Sequence, residues 1–236
     1  MKAMVFAAGN GTRLRPFTLS HPKALVDVGG KPMLQRAIEN LKAAGVTQIV
    51  VNVHHFAEQI EQFLAANLNF GVKIDVSDER GLLLDTGGGL MVARRFLEGT
   101  EPILLHNVDI LTDMPLGSMS LRGDATLAVS DRGSSRSLIF DRSNRLCGWV
   151  NRNTGETKGQ QEGRQLSFNG LHLVSPQIFS ALSSYGEDVF SLTPFYVDKA
   201  ASLEIYGYDM GGYKWFDVGK PESLEAARAW VDSHQS

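Results

Sequence analysis

The first thirty-two residues leave few folds open to this chain: Lys2 to Ala7 read as a strand, and a glycine-rich turn follows directly in KAMVFAAGNGTRLRPFTLSHPKALVDVGGKP. Ala3, Met4, Val5 and Phe6 form an apolar run without a charge, the pattern of a strand covered on both faces and hence of a sheet flanked by helices. Ala7, Ala8, Gly9 and Gly11 carry little or no side chain, so backbone amides there can approach a ligand oxygen, and glycine admits the positive φ that aims them. Arg13 and Arg15 follow, and Lys23 comes after Pro22, whose fixed φ stiffens the approach. Small residues at a turn with cations beside them describe a phosphate cradle; a turn that only joins strand to helix is the plain alternative.

Two familiar phosphate motifs are excluded. No lysine plus hydroxyl pair follows the second glycine, so the GxxxxGK[ST] loop is missing. The dinucleotide fingerprint GxGxxG fails at Leu14, which makes Asp27 a decoy for a ribose-binding acid. The stretch AAGNGTRLRPFTLSHPKALVDVGGKPML instead resembles the signature of the sugar-1-phosphate nucleotidyltransferases, GxGTRLxPxTxxxPKxLxPVxxxPxL, with Asp27 in place of the usual proline before Val28. The resemblance implies that Ala7, Ala8, Gly9, Gly11, Thr12 and Arg13 hold a nucleoside triphosphate, and that Lys23 joins Arg13 as a catalytic cation against phosphate charge.

Periodicity along the chain predicts repeated β-α-β units. Met33, Ala37, Ile38, Leu41 and Ala44 recur at helical spacing before Gly45, 48–53 reads as a strand, 56–68 as a helix, 72–76 as a strand and 86–97 as a helix with a glycine-rich entry. A strand at 103–106 ends at Asn107, Val108 and Asp109, where an acid beyond a central strand can face the crevice of the first turn. Past Asp113 the rhythm shortens to strands at 125–129, 137–140 and 146–150, read as inserted hairpins. A strand at 166–174, helices at 176–182 and 191–200, strands at 203–208 and 214–217 and a helix at 221–232 follow. The expected architecture is α/β, a Rossmann-like, mostly parallel sheet flanked by helices with inserted short β-hairpins, which the resemblance specifies as GT-A-like. Its 236 residues are read as a single domain, 1–112 mainly for the nucleotide and 113–236 mainly for the sugar.

Composition narrows the partners. A formal net charge of −3 argues against a nucleic-acid groove, and no segment is apolar enough for a membrane span or a secretory leader. The single cysteine, Cys147, rules out an internal disulfide and a cysteine metal cluster, so a cytoplasmic location is expected. His21, His54, His55, His106, His172 and His234 show no zinc spacing and are expected at structural or surface positions.

For a triphosphate, Mg²⁺ held by one or two carboxylates is the fitting cofactor. By resemblance those are Asp109, after a strand, and Asp217, in Trp215-Phe216-Asp217-Val218-Gly219. Thr86, Gly87 and Gly88 stand where the family holds the nucleobase by backbone groups; three adjacent glycines at a helix entry also call for close approach of something flat. Asn169 and Gly170 match the segment bordering the sugar pocket. The family's E-K-P triplet is missing, leaving Arg152 or Lys158 as replacements for its phosphate-binding lysine.

The reaction implied is NTP + sugar 1-phosphate → NDP-sugar + pyrophosphate. LDTGGGL, F-N-G and WFDVGKPESLEAA are most similar to the N-acetylmuramate-1-phosphate uridylyltransferases, which favours UTP; mannose- or heptose-1-phosphate guanylyltransferases with GTP come next, and a cytidylyltransferase using CTP is a further alternative. A non-catalytic sugar-nucleotide-binding regulatory protein is the rival from another class. Oligomeric state is not legible from the sequence.

Overall fold

The structure is a computed structural model that describes residues 1–234. Its first part contains β1 (Lys2–Phe6), a hairpin of β2 (Asp27–Val28) and β3 (Lys31–Pro32), α1 (Met33–Ala43), β4 (Gln48–Val53), α2 (Ala57–Ala66), β5 (Lys73–Asp78), α3 (Asp85–Leu97) and β6 (Ile103–Asn107). β1 lies between β4 and β6, parallel to both, and β4 is parallel to β5. The uncharged run of β1 suits this central place. Ala3 and Val5 pack in one core with Leu34, Ile38 and Leu41 of α1, while Met4 and Phe6 pack in a second with Leu90, Ala93 and Leu97 of α3. α1 ends before Gly45, whose φ of +80° favours a residue without Cβ.

Beyond β6 come β7 (Ile110–Thr112), β8 (Ala125–Ser130), β9 (Arg136–Phe140), β10 (Leu146–Asn151), β11 (Thr157–Gly159), β12 (Arg164–Val174), α4 (Ile178–Ser183), α5 (Leu192–Lys199), β13 (Ile205–Asp209), β14 (Trp215–Asp217) and α6 (Pro221–Asp232). One ten-stranded sheet runs β11-β10-β9-β12-β6-β1-β4-β5, with β8 added to β12 and β13 to β8. On the β5 side of β6 the neighbours are parallel, and on the other side β12 runs antiparallel to β6, β8 and β9. β9, β10 and β11 form an antiparallel insertion past Asp113, but the 125–129 strand expected to belong to it is β8, which joins the main sheet between β12 and β13. β12 begins at Arg164 rather than at the apolar Leu166, because Arg164 and Gln165 pair with Phe140 and Ile139 of β9. Among the described residues no helix is long and apolar enough to cross a membrane.

Two of the six histidines serve the core beneath the strand ends. His106 shares a 2.8 Å hydrogen bond between Nδ1 and the Asn107 carbonyl, and burial pushes its pKa down to about 4. His172 shares a 2.9 Å bond between Nδ1 and the Tyr196 hydroxyl, and burial pushes it down to about 3. Both folded-state values lie below the unfolded one, so the stability these rings contribute is present above about pH 6.5 and is lost as pH falls, since the unfolded chain takes up protons that the folded chain refuses. Each ring costs about 1.4 kcal/mol per pH unit in that window. A His172→Gln variant followed by urea unfolding from pH 7 to pH 4.5 is expected to lose stability less steeply than the parent; parallel curves would show that His172 does not titrate this way.

Candidate active site

β1, β6 and β14 all run out toward one place. β14 pairs antiparallel with β7, Asp217 opposite Ile110, and the Val218 amide donates to the Asp109 carbonyl at 3.0 Å. This short ladder brings together the two acids that the sequence keeps far apart. Gly219 locates the cluster: a Cβ built there would lie 2.7 Å from Asp217 Oδ1, 2.8 Å from Arg13 Nη2 and 2.9 Å from Lys23 Nζ. The Lys23 ammonium also forms an ion pair with the Asp109 carboxylate, both side chains being mostly buried. Arg13, Lys23, Asp109 and Asp217 therefore converge, as the sequence implies.

Local structure explains how the loop supports them. Gly11 has a φ of +59°, and a Cβ on it would lie 2.9 Å from both Lys23 Cβ and Thr18 Cγ2, so Lys23 packs directly against the turn. The Thr18 hydroxyl closes the turn by donating to the Gly11 carbonyl at 2.8 Å. Ala7 and Ala8 depart from the expected role of free donors, because their amides donate to Asn52 Oδ1 at 2.7 and 3.3 Å. The Asn52 amide in turn donates to Glu79 Oε1 at 2.7 Å, and burial raises the Glu79 pKa against the opposing pull of that bond and of the Leu84 amide. Asn52 and Glu79 thus pin the start of the loop, and no sequence pattern singled them out.

A cavity of about 430 Å³ lies in front of this network, lined by Ala8, Gly9, Lys23, Glu79, Thr86 and Asp109 among others. Its glycine-rich wall differs from the sequence expectation in what approaches it. A Cβ on Gly87 would enter the Phe190 ring, one on Gly88 would meet the Asp188 carbonyl, and one on Gly89 would lie 2.6 Å from Glu79 Oε1. The flat group against the helix entry is therefore an internal phenyl ring. The Gly87 amide donates to the Phe190 carbonyl at 2.7 Å, and the Leu192 amide to the Thr86 hydroxyl at 2.9 Å. Gly87→Ala is expected to destabilise by about 1–3 kcal/mol through overpacking, read as a lower denaturation midpoint; an unchanged midpoint would mean that the 188–192 loop moves aside freely.

A second cavity of about 520 Å³ is lined by Arg132, Arg136, Trp149, Lys158, Phe168 and Ser191 among others. It abuts the first through Ser191, whose hydroxyl donates to Asp85 Oδ2 at 2.7 Å, Asp85 being part of the first cavity's wall. Arg132 stacks 4.0 Å from the centre of the Trp215 ring and donates to Asn169 Oδ1 at 2.9 Å and to the Phe168 carbonyl at 2.8 Å. Asn169 is fully buried, and its side chain is taken up by Arg132, Ser130 and Met210. Gly170, at φ +77°, sits against Ile110 and Asn107, where a Cβ would lie 2.8 Å from Ile110 Cγ1. Asn169 therefore holds Arg132 from behind the cavity wall, and Gly170 lets the chain pass close to Ile110 and Asn107.

Residues 2–128 match the family described as nucleotidyl transferase. The chain belongs to that family. Within it this is an enzyme of the sugar-1-phosphate nucleotidyltransferase type, the kind that the signature through Arg13 and Lys23 resembles. The nucleotidyltransferase is 35% identical over 241 residues to N-acetylmuramate alpha-1-phosphate uridylyltransferase of Caulobacter vibrioides, covering 96% of this chain and 95% of the relative. It is 31% identical over 255 residues to mannose-1-phosphate guanylyltransferase 1 of Arabidopsis thaliana, covering 99% of this chain but only 65% of that relative. Its fold is that of HddC from Yersinia pseudotuberculosis complexed with GMP-PN, with a TM-score of 0.78, 23% identity and coverage of 98% and 99% of the two chains.

In this nucleotidyltransferase the charges at the centre alternate. Lys23 stands against Asp109 and beside Asp217, and burial lowers the Arg132 pKa while nearby Asp217 opposes the shift. Among the described residues no group of three or more His, Cys, Asp or Glu side chains converges, so a cation here meets a carboxylate pair. That pair fits Mg²⁺ in its donor chemistry, two hard oxygen ligands around a point already attractive to an ammonium.

Proposed function

We propose that the enzyme is an N-acetylmuramate-1-phosphate uridylyltransferase, converting UTP and the sugar 1-phosphate to UDP-sugar and pyrophosphate. The observation that carries this reading is the convergence of Arg13, Lys23, Asp109 and Asp217 around Gly219, beside two abutting cavities of a size for nucleotide and sugar. The relatives of uridylyltransferase name support the choice of substrate because the likeness runs over nearly the whole of both chains. The first cavity is lined by residues from Phe6 to Asp109 together with Val189, and the second by residues from Arg132 onward, which supports the division of labour between 1–112 and 113–236 within one domain.

The acceptor is a phosphate monoester whose second pKa is about 6, so its attacking oxygen is ionised at neutral pH and needs no general base. That oxygen forms a bond to the α-phosphorus while the bond to the bridging oxygen of the β-phosphate breaks, and pyrophosphate leaves with the electron pair. The protein's task is to align two polyanions and to offset their repulsion. Gly9, Gly11, Thr12 and Arg13 bind the triphosphate, Ala7 and Ala8 shape the entry, and Thr86 borders the base, while Gly87 and Gly88 lie behind it, closed against Phe190 and Asp188. Lys23 faces the reacting phosphates, and Arg132, beside Asp217, meets the incoming sugar phosphate. Lys158 lines the sugar cavity and Arg152 does not, but Lys158 is joined to Asp198 at 3.0 Å, so Arg132 takes over the part of the missing triplet lysine. Asp109 and Asp217 would hold Mg²⁺, which supplies charge neutralisation on the phosphate oxygens when bound. The single free Cys147 accords with a reducing, cytoplasmic setting.

Pyrophosphate release measured with UTP, GTP and CTP against a panel of sugar 1-phosphates tests the reading. N-acetylmuramate 1-phosphate with UTP is expected to give the highest kcat/KM. A preference for GTP with mannose or heptose 1-phosphate would replace it with the guanylyltransferase reading, and binding without release from any pair would make the protein a sugar-nucleotide sensor.

A further inference from the structure

We propose that Arg136 is the receptor for a second anionic group on the acceptor, a carboxylate carried by the sugar ring, and that it selects acidic sugar 1-phosphates over neutral ones. The inference rests on the second cavity being the sugar site. Register lays the floor of that cavity: Leu138, Trp149 and Lys158 pair in one row across β9, β10 and β11, and Arg136, two residues before Leu138, projects from the same face. Pro194 and Val197 of α5 line it as well. Three cations, Arg132, Arg136 and Lys158, stand in its lining against one carboxylate, Glu156.

A single phosphate does not account for three positive charges. Its place is beside Asp217, where the reacting phosphorus must lie, and Arg132 is the cation held there, stacked on the ring of Trp215 two residues before Asp217 in β14. Lys158 is joined to Asp198 at 3.0 Å. The Arg136 side chain has neither an ion pair nor a hydrogen bond among the described residues; its backbone alone is engaged, opposite Asn151 in the ladder of β9 and β10 and through its amide, which donates to Ser134 Oγ at 3.3 Å. An unpaired guanidinium on the wall of a sugar cavity presents a planar fork that matches a carboxylate by two parallel hydrogen bonds. It is exposed to solvent, so it stays hydrated until an acidic ligand displaces water. The lactyl ether of an N-acetylmuramate ring supplies such a carboxylate, and a neutral hexose offers none.

The test compares the enzyme with Arg136→Met and Arg136→Lys, using N-acetylmuramate 1-phosphate and the same amino sugar without its lactyl group, N-acetylglucosamine 1-phosphate. Binding is read by calorimetry and turnover by pyrophosphate release. Arg136→Met is expected to lower affinity and kcat/KM for the carboxylated ligand by about 10- to 100-fold, the scale of a lost charge-assisted pair. Affinity for the neutral analogue is expected to fall far less, and Arg136→Lys, which keeps the charge and loses the fork, to lie between. Equal losses for both ligands, no loss for either, or failure of the parent to bind the carboxylated ligand would overturn the proposal. Selective loss of carboxylate binding without pyrophosphate release from any sugar would uphold Arg136 and overturn the transferase reading. Efficient turnover that ignores both the carboxylate and Arg136 would do the reverse.

Discussion

Lys23→Ala is expected to cut kcat by about 10²–10³-fold, the usual effect of removing one preorganised charge from a site that acts by electrostatics. The ammonium stands beside Asp217 Oδ1 and Arg13 Nη2 and pairs with Asp109, where the proposed reaction sets anionic phosphates against anionic side chains. The substitution keeps Cβ, the atom that packs against Gly11, so the turn should survive. Its far-ultraviolet spectrum is therefore expected to match the parent's, while its melting point falls because the mostly buried Asp109 loses its partner. Removal of the competing ammonium also leaves Asp109 free, so the Mg²⁺ concentration for half-maximal rate should not rise. A folded variant with near-normal kcat would remove Lys23 from the mechanism.

Asp217→Asn should show the complementary behaviour. The side chain keeps its shape, and its remaining carbonyl oxygen can still accept the Gly219 amide that Asp217 Oδ1 accepts at 2.8 Å. What it loses is charge toward a cation. The Mg²⁺ requirement is expected to rise by about 10- to 100-fold, read both in the rate and in calorimetric titration of the metal into enzyme without substrates. Titration curves that superimpose on those of the parent would show that Asp217 is not a ligand.

The elements with strong local signals were the legible ones. The uncharged run of β1 announces burial on both faces, the glycines of the first turn announce close approach, and Pro22-Lys23 places a cation nearby. Asp109 could be named because a strand end in an α/β sheet is a place where ligands collect. Asp217 was accessible through the resemblance alone, since its neighbour in space comes from a three-residue ladder that no periodicity foretells. Asn52 and Glu79 escaped because a polar residue within an apolar strand gives no sign of which distant amide it will pin. The glycines of α3 were read correctly as needing close approach, but the partners of Gly87 and Gly88, Phe190 and Asp188, lie on a loop a hundred residues away in the chain. Arg132 escaped for a similar reason: its place depends on Asn169 and Trp215, which meet only in the folded protein.

The ladder between β7 and β14 acts as a ruler. It sets the spacing of the two acids' backbones by peptide geometry, through the Val218 amide on the Asp109 carbonyl. Substitutions in the cavity walls, which lie outside this ladder, then leave the backbone span between Asp109 and Asp217 as it is.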